Sequence, residues 1–384
     1  MRSPGENDRI TPDFPPAQAQ KRAPCQDGCP NCGDIRKWIG AIAQHGKTGA
    51  PREEAFAQAW SIIADVNPFP AVLGRVCPHP CEAHCNRGEL DQPLAINAME
   101  RFLGDWGIRH GLELQRLTDQ IQPEWLGVIG SGPSGLSFAY QMVRRGYRVT
   151  VYERQSEAGG MLRYGIPPYR LPPEVIDGEV QRILDLGVEM KVGISVGKDI
   201  PFEDLRKAHD AIFVGIGAHQ GKLLRCPGED AANVWTGTSF LNRANRGEKI
   251  DVGQKVLVIG GGDTAFDAAR VARRMGADVT IVYRRTRNEM PAIDEEVKGA
   301  EEENVEMHFL AAPIEINKEG DRAVSMRCQQ MKLGEPDDSG RRRPVPIEGD
   351  EFTIECDTII AAISQEPDFE GLEQVKAGPR DWIK

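Results

Sequence analysis

Hydrophobic positions along this chain follow two rhythms. Up to about residue 117 they recur at helical spacing. Ile35, Ile39 and Ile42 predict a short helix over Ile35–Gln44, and Phe56, Trp60 and Ile63 share one face of a helix over Arg52–Val66. Asn67-Pro68-Phe69-Pro70 breaks that helix, since proline lacks the amide and clashes with the preceding turn. A third helix is expected over Ile96–Ile108, and no strand pattern of comparable strength occurs in this part.

Beyond Trp125 short apolar runs alternate with amphipathic stretches, as buried parallel strands alternate with helices. Strands are expected at Leu126–Ile129, Arg148–Tyr152, Ala211–Gly215, Val256–Ile259 and Asp278–Tyr283. Helices follow the first strand to about Arg145, then span Glu174–Leu186 and about Asp267–Met275. Further strands lie around Met307–Leu310, Val324–Lys332 and Thr358–Ile363, and the stretch GEPDDSGRRRPVP reads as an exposed loop of mixed charge. The fold class is therefore α/β, with two Rossmann-like dinucleotide-binding domains preceded by a helical domain. The expected boundaries are an extended polar arm at 1–23, the helical domain at 24–117, a linker near Gln115–Glu124, the first dinucleotide domain at 124–243, the second at 244–364 and a tail at 365–384.

Two glycine turns give these domains their chemistry. Gly130-Ser131-Gly132-Pro133-Ser134-Gly135 sits between a strand and a helix, which is the structural context a dinucleotide fingerprint requires. The first glycine permits the turn, the second lets backbone approach a pyrophosphate, and the third brings helix and sheet together. Gly260-Gly261-Gly262-Asp263-Thr264-Ala265 repeats the arrangement in its GxGxxA form. In each case the helix N-terminus offers unpaired amides and a partial positive charge to phosphate.

The two turns differ where the ribose would lie. Glu153 stands 23 residues after Gly130, whereas Tyr283 stands 23 residues after Gly260 and is followed by Arg284 and Arg285. A carboxylate accepts from a ribose diol and repels a 2′-phosphate, while guanidinium forks suit that phosphate. The first site is thus expected to take FAD and the second NADP(H) more readily than NAD(H). The competing reading of the two arginines is a solvated basic strand end.

Six of the nine cysteines form two groups, Cys25-x3-Cys29-x2-Cys32 and Cys77-x3-Cys81-x3-Cys85. No secretory signal precedes them, so metal or redox chemistry is expected rather than a disulfide framework, and a cytoplasmic location with it. A flavin and a nicotinamide site on one chain favour iron over zinc, because a flavin can divide a two-electron hydride and a cluster carries electrons singly. A thioredoxin-like role for Cys29-x2-Cys32 lacks the surrounding βαβ pattern. At 384 residues and 40% hydrophobic content the chain can build several cores. Its net charge of -11 argues against a general nucleic-acid binder, and no apolar run reaches the ~18 residues of a membrane span.

Several stretches carry a family resemblance: PCQDGCP, NPFPAVLGRVCPHPCEAHCNRGE, VIGSGPSGLSFAY, GGMLRYGIPPYRLPPEVI, VIGGGDTAFDAARVARRMGA, VYRRTRNEMPA and AAISQEPDF. Over about residues 24 to 370 the chain resembles the small (beta) subunit of NADPH-dependent glutamate synthase. It also resembles the N-terminal half of dihydropyrimidine dehydrogenase and the large subunit of the ferredoxin–NADP bifurcating transhydrogenase. The resemblance implies a helical iron–sulfur domain, an FAD domain and an inserted NAD(P)H domain. It implies FAD contacts at Gly130, Ser131, Gly132, Pro133, Ser134, Glu153, Leu162 and Arg170. NAD(P)H contacts would be Gly260, Gly261, Gly262, Asp263, Arg284, Arg285 and the turn Ala361, Ala362, Ile363. One cluster would use Cys29, Cys77, Cys81 and Glu100, the last of which also fits an ordinary exposed helix position. Cys25, Cys32 and Cys85 remain possible ligands, but the upstream thiolates that complete a second cluster in relatives fall on Ala17 and Gln20. One [4Fe–4S] cluster is therefore expected. The chain also ends at Lys384, before the family's final GGD-containing segment, so FAD is expected to be held with fewer contacts or with a partner's help.

The sequence thus points to a flavoprotein subunit that moves hydride between NAD(P)(H) and FAD, with no side-chain catalyst needed for the transfer itself. The partner would be a glutamate synthase large subunit, a ferredoxin, or another redox enzyme such as an aldehyde oxidoreductase or hydrogenase. The alternatives are a stand-alone flavoprotein reducing a small acceptor and a non-catalytic electron-transfer scaffold.

Overall fold

A computed structural model describes residues 22–375 and Gly378; Ala17, Gln20 and most of the arm lie outside the described residues. The chain divides into two compact units, one running through Val66 and resuming over His79–Asn97, the other comprising Asn67–Pro78 and Ala98 onward.

The first unit is helical. Asp34 caps the Ile35–Ala43 helix, its carboxylate accepting from the Lys37 amide at 3.1 Å. That helix packs on the Arg52–Ala64 helix, and Ile35, Trp38, Ala59, Trp60 and Ile63 are buried.

The second unit contains both dinucleotide folds. Strands β1 (Trp125–Ile129), β2 (Arg148–Glu153), β3 (Glu189–Val192) and β4 (Ala211–Val214) form a parallel sheet in the order β3-β2-β1-β4. After the short β5 (Gln220–Gly221) come β6 (Val234–Thr236), β7 (Lys255–Ile259), β8 (Asp278–Tyr283) and β9 (Glu306–Phe309). The chain then departs into β10 (Ala311–Glu319), β11 (Arg322–Pro336) and β12 (Arg342–Glu355), an antiparallel three-stranded sheet. It returns as β13 (Thr358–Ala361), completing a second parallel sheet β6-β13-β7-β8-β9, and β14 (Gln365–Glu366) pairs back on β5. In both sheets the strand carrying the glycine turn is central, and the next strand of the chain lies on one side while a later strand lies on the other. That places each turn at a topological switch point, where open α/β sheets bind ligands.

Three differences from the sequence expectations have physical causes. Pro70 does not only end a helix; it opens a new one, Pro70–Val76, because a proline at the first helical position sacrifices no hydrogen bond. The helix after the second glycine turn begins at Asp263 rather than near Asp267, since the turn itself delivers the chain directly into helical geometry. The stretch read as a loop, GEPDDSGRRRPVP, is mostly strand, with only Asp337–Arg341 forming the turn between β11 and β12. Its charges misled because both strands are wet there, so no apolar alternation marks them.

Gly104 shows how tightly the elements of the second unit meet. A Cβ at Gly104 would lie 2.2 Å from the Ala71 amide nitrogen, so the Ile96–Arg109 helix contacts the Pro70–Val76 helix backbone to backbone. Alanine would gain about 0.5–1 kcal/mol of helix propensity, but overpacking against immobile backbone costs roughly 1–3 kcal/mol. Gly104→Ala should therefore lower the urea midpoint. Gly40, also inside a helix but with nothing within 4 Å of its Cβ position, should behave oppositely, Gly40→Ala raising stability by a few tenths to about 1 kcal/mol.

Candidate functional site

At the first turn, Gly130 adopts φ +95°, and a Cβ there would lie 2.5 Å from the Gly215 carbonyl oxygen. At Gly135 a Cβ would lie 2.0 Å from the Gly130 oxygen. Gly132 is the N-cap of the Pro133–Val143 helix and supplies no side-chain cap, which leaves the first helical amides for a ligand. Beyond Gly132 a Cβ would meet only the Gly160 Cα, at 4.0 Å, so backbone here can be approached closely. Glu153, 5% exposed, accepts from the Ser131 amide at 2.8 Å and the Ser131 hydroxyl at 2.6 Å through one oxygen. Its other oxygen accepts from the Gln155 amide at 2.8 Å. A carboxylate has about four acceptor positions, so the acid fixes the turn and keeps capacity for a ribose hydroxyl. These features fit the adenosine diphosphate half of FAD. Leu162 is buried nearby on the short Met161–Tyr164 helix.

Arg170, which the resemblance implies as an FAD contact, is engaged by two carboxylates. Its guanidinium lies 2.7 Å from Asp267 and 2.7 Å from Glu296, two carboxylates on helices of the second dinucleotide fold. Burial pushes the Asp267 carboxyl up to about 7, with Arg170 opposing that rise. Arg270 adds a second cation on Glu296 and, with Arg274, flanks the Tyr169 ring. The arginine therefore bridges the two dinucleotide folds.

The second turn borders a cavity of about 590 Å³. Gly260 has φ +147°, and a Cβ there would lie 2.3 Å from the Ala362 oxygen. Gly262, like Gly132, is an N-cap without a side-chain bond. Asp263 is partly spent, accepting from the Ile293 amide at 3.1 Å. Ala361, Ala362 and Ile363 line the cavity, and the Ala362 amide is fixed by the Ile259 carbonyl at 2.8 Å. A second helix N-terminus, that of Gly237–Asn245, also lines it through Gly237 and Thr238. Sequence reasoning missed this element, although Thr236 followed by Gly237-Thr238-Ser239 is an N-cap signature, and Thr236 indeed accepts from the Ser239 amide. Two helix N-termini and a glycine turn suit a pyrophosphate.

The two arginines that follow Tyr283 both line this cavity but part company. Arg284 is exposed and lines the cavity, with no partner among the described residues. Arg285 is 6% exposed and committed: its Nη2 lies 2.6 Å from Asp337 and its Nε donates to the Arg342 carbonyl at 2.7 Å. Tyr283 keeps the ribose-acid position uncharged, its hydroxyl donating to the Glu289 carbonyl.

Cys25, Cys29, Cys32, Cys81 and Cys85 belong to the first unit and Cys77 to the second; all are free thiols. Burial raises the Cys25 thiol, with Cys85 and Cys29 close enough to add to the rise. Cys32 is exposed and has φ +51°. No group of three or more His, Cys, Asp or Glu side chains is arranged to hold a metal ion among the described residues. Glu100, in the second unit, is half-buried rather than exposed; burial pushes it up to about 7, and it accepts from the Asn67 amide at 2.7 Å. Cys226, Cys328 and Cys356 are buried, with Cys328 and Cys356 pushed up to about 12, so they remain inert thiols. Among the described residues no helix is long and apolar enough to cross a membrane.

Comparison with known proteins agrees with the two dinucleotide folds and adds an iron–sulfur domain. Residues 124–384 match the pyridine nucleotide-disulphide oxidoreductase family, and residues 18–112 match domain II of dihydropyrimidine dehydrogenase, described as holding a 4Fe–4S cluster. The NADPH-Fe(3+) oxidoreductase subunit beta of Geobacter sulfurreducens is 41% identical over 90% of this chain and 51% of that protein. The NADP(+)-dependent formate dehydrogenase subunit beta of Moorella thermoacetica is 39% identical over 94% of this chain and 54% of its own length. The chain thus spans about half the length of these relatives, but 73% of the Azospirillum brasilense glutamate synthase [NADPH] small chain, at 33% identity over 90% of this chain. Among solved structures, Mycobacterium tuberculosis FprA in complex with NADPH has the same fold over 64% of this chain and 71% of its own, with a TM-score of 0.56 and 18% identity. The chain belongs to the pyridine nucleotide-disulphide oxidoreductase family, joined to a 4Fe–4S domain of the dihydropyrimidine dehydrogenase type, and its cofactors are FAD, NAD(P)H and a [4Fe–4S] cluster.

Proposed function

We propose that this chain is the flavoprotein subunit of a multi-subunit redox enzyme, that it uses NADPH in preference to NADH, and that a partner subunit exchanges electrons with it. The observation that carries the coenzyme choice is that Tyr283 stands in place of a carboxylate and Arg284 lines the cavity with no partner among the described residues. The subunit reading draws support from the relatives, two of which are named as beta subunits and one as a small chain. When bound, the cofactors supply hydride transfer between nicotinamide and flavin N5 and one-electron transfer to the cluster.

The chain's own residues position these groups. Glu153 holds the first turn and takes a ribose hydroxyl. Gly132 and Gly262 present bare helix N-termini to the two pyrophosphates. The turn at Ala361–Ile363 borders the nicotinamide end. Cysteines of the N-terminal domain, Cys29 and Cys81 among them, are the thiolates we assign to the cluster. No residue need exchange a proton for the hydride to move, so orientation is the protein's contribution.

Heat-denatured protein should release a yellow, fluorescent dinucleotide. In Gly130→Ala that release should fall to a small fraction of the wild-type yield, because the added Cβ collides with the Gly215 oxygen. A colourless wild-type supernatant from folded, partner-bound protein rules out bound FAD. Anaerobic reduction of the flavin should proceed at lower NADPH than NADH concentration. Losing the Arg284 guanidinium should cost about 1.5–3 kcal/mol of NADPH binding and leave NADH binding nearly unchanged; equal effects would make Arg284 a solvated strand end. Anaerobically purified protein should contain about four irons per flavin. A value near eight would require a second cluster, and none in an intact complex would leave the cysteines structural.

A further inference from the structure

The tip of the β11–β12 hairpin borders the cavity of the second glycine turn through Arg341. Arg341 ends the Asp337–Arg341 turn and lines the same cavity as Arg284. Its main chain is held at both polar groups: the Arg341 carbonyl accepts from the Asp337 amide at 2.7 Å, and its amide donates to Asp337 Oδ1 at 3.3 Å. Its Nε donates to the Ser339 hydroxyl at 3.0 Å, and neither terminal nitrogen has a partner among the described residues. Three neighbouring arginines are occupied, and Arg343, exposed and without a partner among the described residues, does not line the cavity. Arg342 donates to the carbonyls of Leu333 and Gly334, Arg287 pairs with Asp294, and Arg285 pairs with Asp337. In a chain with 58 acidic and 47 basic residues, two guanidinium groups that line one cavity and have no ion pair among the described residues call for an anionic ligand.

Asp337 joins the two arginines. Its Oδ1 accepts from the Ser339 amide at 2.9 Å and the Ser339 hydroxyl at 2.5 Å, which shapes the turn. Its Oδ2 takes Arg285. Arg285 is further tied to the sheet's base, its carbonyl accepting from the Leu310 amide at 3.1 Å.

Building on the NADPH reading above, we propose that Arg341 is a second specificity-determining cation, which closes on the coenzyme's 2′-phosphate opposite Arg284, and that Arg285 and Asp337 are positioning residues that hold the hairpin tip over the cavity. The ligand chemistry is a phosphate monoester on an adenosine ribose. Two forks from different elements can each donate paired N–H groups to one phosphate, which a single strand end cannot arrange.

The test uses the full-length holoprotein and two fragments, adenosine 2′,5′-bisphosphate and 5′-AMP, with binding measured by calorimetry at fixed ionic strength. Wild type should bind the bisphosphate more tightly. Arg341→Ala should lose roughly tenfold or more of that preference while its 5′-AMP affinity stays within about twofold of wild type. Arg341→Lys should recover part of the loss, since it keeps the charge but not the fork. Arg285→Ala should lose preference to a similar extent, and the Arg285→Ala/Arg341→Ala double variant should be little worse than either, because one acts through the other. An Arg341→Ala protein that retains the preference overturns the proposal and leaves the NADPH reading intact. Equal loss for both fragments also overturns it, making Arg341 an adenine-stacking residue. A wild type indifferent to the 2′-phosphate instead defeats the NADPH reading itself. Additive losses in the double variant overturn the positioning role of Arg285.

Discussion

Both dinucleotide folds depend on one close approach of backbone to backbone. In each, the first glycine of the turn faces the carbonyl oxygen at the end of the strand beside it, Gly215 in one sheet and Ala362 in the other. A side chain at either glycine would fall well inside contact distance, and both glycines have positive φ. The contact fixes the height at which the helix starts above the sheet, and with it the direction of the free amides that await phosphate. Glu153 and Asp263 then secure the two turns by different means, one by gripping Ser131, the other by holding the Ile293 amide.

A second constraint is electrostatic. Arg170 reaches from the first dinucleotide fold into a pocket of carboxylates on the second, and Asp267, Glu296 and Arg270 are all largely buried. Burying such groups is costly and contributes little net stability over an apolar contact of the same size. Its effect is geometric: a misaligned interface would leave a buried charge without its partner, a loss of several kcal/mol. The cluster thus penalises misalignment of the two dinucleotide folds.

Much of this was legible in the sequence because glycine turns, buried parallel strands and proline breaks are local signals. Gly130 and Gly260 could be placed from spacing alone, whereas the Ala361–Ile363 return rested on the family resemblance. Tyr283-Arg284-Arg285 was legible as a departure from the ribose-acid pattern, but not as a division between an open arginine and a committed one. That division depends on Asp337, 52 residues beyond Arg285, and no periodicity links them. Arg170 illustrates the same limit, since its partner Asp267 lies 97 residues away and only the fold joins them. The hairpin was misread because both its strands are polar, and strand signals depend on burying one face.

The three-stranded sheet that carries the hairpin is an excursion between β9 and β13, outside the parallel ladder of the nicotinamide fold. Neither the glycine turn nor the helix N-termini include any residue of it. Mutations at its tip therefore leave the catalytic framework untouched, and surface turns tolerate replacement far better than packed strands do. Under the assignment proposed above, coenzyme preference could therefore be retuned in this appendage without redrawing the sheet beneath it.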